Sequence, residues 1–205
     1  MAESKSRPLP FVRLTYTANR TPTGRRTATP ARKAARYFAY ANDLEAERSG
    51  QQRGHWYGPD GSKHEHEPVL AWAAAGAKAH RYTFQALLSL PEGRLSATDF
   101  TRAMREGKYI DDFRLITHDD TKHSHAHVLF FRDSRMDREQ FTDWHERIRQ
   151  SLAAREGATL QARELSTVAQ LGQEERYEEM AAEIGALQAG ERAAALAMEG
   201  GLDLI

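Results

Sequence analysis

The sequence predicts an α+β fold: a central antiparallel sheet of about five strands, flanked by helices. Three observations lead there. Strand-like stretches recur at residues 8–18, 80–90, 112–117 and 123–131. Stretches with apolar residues at helical spacing fall between and after them, at 29–47, 97–105 and 137–155. The third and fourth strand-like stretches are separated only by a short run of turn-forming residues, which makes them an antiparallel hairpin. Strands and helices interleaved around a hairpin favour a sheet with helices packed on it.

In chain order, Pro8 to Ala18 alternates apolar and polar residues and predicts the first strand. Arg20 to Thr27 is a basic loop. Thr29 followed by Pro30 predicts a helix start with a hydroxyl cap, and the helix is expected to reach Glu47. Its expected apolar face carries Ala34, Tyr37, Ala41 and Leu44. Arg48 to Arg53 reads as a polar loop. His55 to Gly61 predicts a short strand reversing at Pro59-Asp60-Gly61, and His64 and His66 a solvated helix start. Pro68 to Lys78 is an alanine-rich helix, and His80 to Leu90 the next strand. Ser96 and Asp99 form a capping box for a helix over 97–105, with Phe100 and Met104 facing inward. Val128 to Phe131 is apolar on both faces, as a central strand covered on each side would be. Asp137 and Gln140 start a helix to about Arg155, striped by Phe141, Trp144, Ile148 and Leu152. Trp56, Trp72 and Trp144 read as packing residues, with Trp56 also able to stack on a base. Two segments result: a domain over 1–158 and an acidic helical tail over 159–205.

A chain of 205 residues can bury a real core. It has no cysteine, which excludes thiol catalysis, thiolate metal sites and disulfides. The polar start and the lack of a long apolar run predict neither signal peptide nor membrane segment, so the expected location is the cytoplasm. The net charge is zero but unevenly spread. Residues 1–40 carry nine Lys/Arg against Glu3, whereas residues 159–205 carry nine Asp/Glu against three Arg. A basic segment suits contact with phosphates, through Arg25, Arg26, Arg32, Lys33 and Arg36.

The most informative stretch is His118-Asp-Asp-Thr-Lys-His123-Ser-His125-Ala-His127, which holds four of the nine histidines. On a strand His123, His125 and His127 project from one face. The expected hairpin register sets His118 opposite His123, facing the same way. Neutral imidazoles converging on one point commonly bind a cation. Such a cation can polarise a phosphoryl oxygen, and with no cysteine and no serine–histidine–acid spacing, tyrosine is left as the nucleophile.

This stretch resembles the third motif of conjugative relaxases in the HUH endonuclease superfamily, H-x-D-x-x-H-x-H-x-H. The nearest class is similar to the mobilisation relaxases that include the T-DNA border nickase. Ala35-Arg-Tyr37-Phe-Ala39 resembles their first motif, and Ser89-Leu-Pro-Glu92 their second. The resemblance spans residues 30–135 and implies the following roles. His118, His125 and His127 would bind one divalent ion, Mg²⁺ or Mn²⁺, supported by His123 and Asp120. Tyr37, with Tyr40 as its rival, would attack single-stranded DNA at an origin of transfer and keep a 5′-phosphotyrosine. Ser89 and the basic residues would contact DNA; relaxosome accessory proteins and a coupling ATPase would be partners. Histidine-only ligation would tolerate Mn²⁺ or bind Zn²⁺ more tightly. Three other readings stand beside this one. The chain could be a rolling-circle initiator using Tyr177, a catalytically silent relaxase-like DNA-binding protein, or a metal-binding protein unrelated to DNA.

Overall fold

The computed structural model describes residues 8–118 and 123–199, with side chains up to residue 167 and at 170. The chain divides into two compact units, Met1–Thr159 and Leu160–Ile205. The first unit holds a six-stranded antiparallel sheet flanked by helices. Its strands are β1 (Phe11–Ala18), β2 (Trp56–Tyr57), β3 (Lys63–His64), β4 (Tyr82–Ser89), β5 (Phe113–His118) and β6 (His125–Arg132), in the order β1-β4-β6-β5-β2-β3. The sixth strand, beyond the expected five, is β3. It pairs with β2 across the turn at Gly58–Ser62, in a segment expected to be a helix start.

The two faces of the sheet bury different cores. On one, Val12, Phe84, Leu88, Leu115, Val128 and Phe130 pack against α4 (Ala97–Glu106) and the first turns of α5 (Arg138–Glu199). Ser96 caps α4 in the expected capping box, and Phe100 and Met104 are fully buried. Trp144, Ile148 and Leu152 are buried along α5, but Phe141 stays 38% exposed. The Asp137 carboxylate accepts the Gln140 N–H at 2.8 Å, which starts α5 as expected. The helix does not stop at Arg155; it runs on through Gly157 to Glu199. An isolated helical glycine costs only about 1 kcal/mol and does not by itself end a helix. Among the described residues no helix is long and apolar enough to cross a membrane.

On the other face, Ile116, Leu129 and Trp56 meet α1 (Thr29–Tyr40) and α3 (His66–Ala79). Trp56 is fully buried here and has no face left for a base. Helix α1 departs from expectation at both ends. Ala28 occupies the cap position, and the Thr29 hydroxyl makes no cap; instead Thr27 Oγ1 accepts the Thr29 N–H at 3.2 Å. The helix stops at Tyr40 because Ala41 turns to φ 56°, and Asp43 caps a separate helix α2 (Leu44–Ser49). The Asp43 carboxylate accepts the Glu45 and Ala46 N–H groups, both at 3.0 Å. A strong capping side chain thus outcompetes continued helix.

The loop after α2 crosses the end of α1: the Arg53 N–H donates to the Ala39 carbonyl at 2.8 Å. Its next residue, Gly54, lies so close to β5 that a Cβ there would stand 2.1 Å from the Thr117 carbonyl oxygen. Gly54→Ala is therefore expected to destabilise the protein by about 2–3 kcal/mol, a fall of roughly 5–10 °C in Tm followed by circular dichroism. An unchanged Tm would mean that the loop is free to lift away.

Candidate metal centre and cleft

The site forms where β5, β6 and the end of α1 meet. In the antiparallel pairing His118 stands opposite His125, not His123, and His127 is opposite Ile116. The expected register is therefore out by two residues. His123 precedes β6 in an exposed bend, and residues 119–122, Asp120 among them, lie outside the described residues. The group that converges is His118, His125 and His127, one ring nitrogen of each lying within 4.8 Å of the others. These three could hold a metal ion. His118 is fully buried and the other two are half-buried.

The backbone sets two of the three rings. His118 Nε2 donates to the Phe38 carbonyl at 2.8 Å, and His125 Nδ1 donates to the His123 carbonyl at 3.1 Å. A carbonyl oxygen can only accept, so each neutral ring keeps its lone pair on the other nitrogen. Those nitrogens, His118 Nδ1 and His125 Nε2, face each other at 3.2 Å. A cation about 2.1 Å from each imidazole needs nitrogens roughly 3–3.5 Å apart, so the donor set fits one. Hydrogen bonds that fix the tautomer from behind are what metal-binding imidazoles generally have.

Electrostatics point the same way. The His127 imidazole is pushed down to about 3, mainly by burial, then by His118, His125 and the Arg53 guanidinium. It is thus uncharged, with a lone pair to offer, at neutral pH. Its ring stacks on Phe38 at 4.4 Å between centroids. Mn²⁺ or Zn²⁺ is expected to raise the Tm of the wild-type protein, by about 2.7 kcal/mol of added stability at a hundredfold excess over Kd. His125→Ala should abolish most of that rise; an equal rise in the variant would place the ion elsewhere.

The tyrosines separate by burial. Tyr37, expected on the apolar face of α1, is instead 48% exposed, because the buried stripe runs through Ala31, Ala34, Ala35, Phe38 and Ala39. It lines a cleft of about 330 Å³ together with Phe38, His127, Arg13, Thr15, Gln85, Ala86 and Leu87. The rival, Tyr40, is only 6% exposed and packs edge-on against His66, with ring centroids 4.9 Å apart. Burial, and then Glu47 and Glu67, raise its hydroxyl above the ordinary phenol value. Its hydroxyl is thereby held protonated more firmly than an ordinary phenol. The side chain of Tyr177 lies outside the described ones.

His66 is a further correction. It is buried, not solvated, and accepts the Trp56 Nε1–H at 3.3 Å; burial first of all lowers its basicity. Ser89 ends β4 opposite His125, at the same end of the sheet as the triad. Arg25, Arg26, Arg32 and Lys33 are exposed, while Arg36 is held by Glu47 at 3.3 Å and has less charge to offer DNA. Three residues escaped the sequence reading. Arg13 and Gln85 line the cleft, and a strand's period of two would have set them on the polar face. Glu156 is buried, and its carboxylate accepts the Glu92 and Gly93 N–H groups at 3.1 and 2.6 Å, pinning the loop that follows Ser89. No linear pattern marks that long-range contact. No family model, curated protein or solved structure matches the chain.

Proposed function

We propose that the protein is a metal-dependent, strand-specific DNA nickase that acts on single-stranded DNA, in the manner of the relaxases its motifs resemble. The observation that carries this reading is that Tyr37 and His127 line one open cleft. A half-exposed phenol beside a preorganised imidazole triad is the minimum that phosphoryl transfer to tyrosine requires.

Bound between His118, His125 and His127, a Mg²⁺ or Mn²⁺ ion would supply Lewis-acid polarisation of a phosphoryl oxygen. The chain's own part is to position. The carbonyl of Phe38, the residue after Tyr37, orients His118 and thereby ties nucleophile and triad together. The Tyr37 oxygen bonds to phosphorus as the bond to the 3′-oxygen breaks. The phenol gives up its proton and the leaving oxygen takes one up as a 3′-hydroxyl. The phosphodiester is exchanged, not hydrolysed, so rejoining needs no nucleotide cofactor. Arg32 and Lys33, exposed on the helix that bears Tyr37, can neutralise neighbouring phosphates.

The test is a labelled random-sequence pool of single-stranded DNA incubated with the protein and Mn²⁺. An adduct that survives denaturing gels, and disappears with EDTA, is the expected result. Salt-sensitive binding with no adduct would support the silent DNA-binding reading instead. Absence of both would remove DNA from the account.

A further inference from the structure

Helices α1 and α3 cover only part of their face of the sheet. Edge strand β1 is exposed on this face, and β4 beside it is only partly covered. On edge strand β1, Phe11, Arg13, Thr15 and Thr17 are exposed, and Phe11 retains 55% of its surface. The register sets Arg13 opposite Leu87 and Thr15 opposite Gln85, while Leu87 pairs with His127 on its other side. Arg13, Leu87 and His127 therefore run in a row across three strands on one face. The row leads from the edge of the sheet to the triad.

The cleft along this row holds about 330 Å³, at the small end of ligand clefts, which run from about 300 to 1,000 Å³. Its lining is mixed: Leu87, Phe38 and Tyr37 are apolar or aromatic, and Arg13, Thr15 and Gln85 are polar. Thr15 Oγ1 is tied to the Gln85 backbone carbonyl at 3.4 Å. Among the described residues, no hydrogen bond or ion pair engages the Arg13 or Gln85 side chain. A cleft that combines aromatic and apolar lining with unengaged planar donors suits a flat, hydrogen-bonding ring. Guanidinium pairs best with the O6 and N7 edge of guanine, and a carboxamide with the N6 and N7 edge of adenine, so both favour purines.

We propose that this cleft reads the purine base adjoining the scissile phosphate, with Arg13 and Gln85 contacting its edge. The inference rests on the nicking reading for its position relative to the cut, and on the cleft alone for its preference. Arg13 and Gln85 are specificity residues; neither touches the reacting atoms.

Sequencing the DNA ends captured from a random single-stranded pool tests the position. With wild-type protein and Mn²⁺, one position beside the cut should favour purines over pyrimidines by about 5- to 100-fold. In the double variant R13A/Q85A that ratio should fall to about 2-fold or less, whatever the total yield of adduct. A ratio unchanged in the double variant, or a wild type without any preference there, overturns the proposal. Should the wild type form no adduct, the nicking reading fails and binding decides. Fluorescence anisotropy with dA and dT dodecamers should then give a purine preference that R13A/Q85A loses. Equal affinities, or a preference that persists in the variant, would overturn it.

Discussion

Tyr37→Phe is expected to abolish the covalent protein–DNA adduct, by on the order of 10⁴-fold or more, since it removes the oxygen that forms the covalent bond. The substitution removes one oxygen from a half-exposed ring, so stability should change by less than about 0.5 kcal/mol. Tyr40→Phe is the matched comparison three residues along the same helix. Its hydroxyl is buried and hard to ionise, so its removal should leave adduct formation within a few-fold of wild type. Denaturing gels of labelled DNA, with peptide mapping of the adduct, distinguish the two. An adduct that survives Tyr37→Phe and maps elsewhere would overturn the assignment of the nucleophile, and one lost only in Tyr40→Phe would reverse it.

Acidification of the metal-free protein should cost much of its stability, through His127 and His66. An unfolded chain protonates these histidines near the ordinary 6.5, whereas the folded protein holds His127 uncharged down to about 3. Between those values the unfolded chain binds the extra proton, so stability is complete above about pH 6.5 and falls as pH drops through the window. The His66 shift has the same sign, again chiefly from burial. At about 1.4 kcal/mol per pKa unit, His127 alone removes on the order of 4 kcal/mol by the bottom of the window. That is a large share of the 5–15 kcal/mol that holds an ordinary domain together, as an order of magnitude. Urea unfolding midpoints from pH 8 to pH 4 measure it, and His127→Gln should flatten the slope. Midpoints that do not move between pH 7 and pH 4 would show that the folded protein accepts the charge.

Much of this molecule is written locally, and that part was legible. The capping box at Ser96 and Asp99, the Asp137 cap and the alternation along β1 depend on residues only a few positions apart. The imidazole cluster was visible as a spacing. What was misjudged depended on competition. Thr29 lost the cap position of α1, and Asp43 cut that helix short, because neighbouring side chains and backbone offered better hydrogen bonds. Tyr37 looked like a core residue on a stripe drawn through Ala41 and Leu44. Once the helix ends at Tyr40 the stripe shifts and the ring faces outward.

By itself the sequence determined the fold class, the order of most elements and the histidine-rich stretch, because periodicity and capping act over one or two turns of chain. The resemblance already singled out His118, His125 and His127; only the tertiary structure decided the register in which they meet, that Tyr37 lines a cleft while Tyr40 is buried, and that Arg13 and Gln85 line that cleft. Those outcomes depend on strand register and on contacts between residues dozens of positions apart. A shift of two residues in a hairpin keeps each side chain on its face yet changes its neighbour. No local pattern carries that choice; the packing of both faces of the sheet makes it.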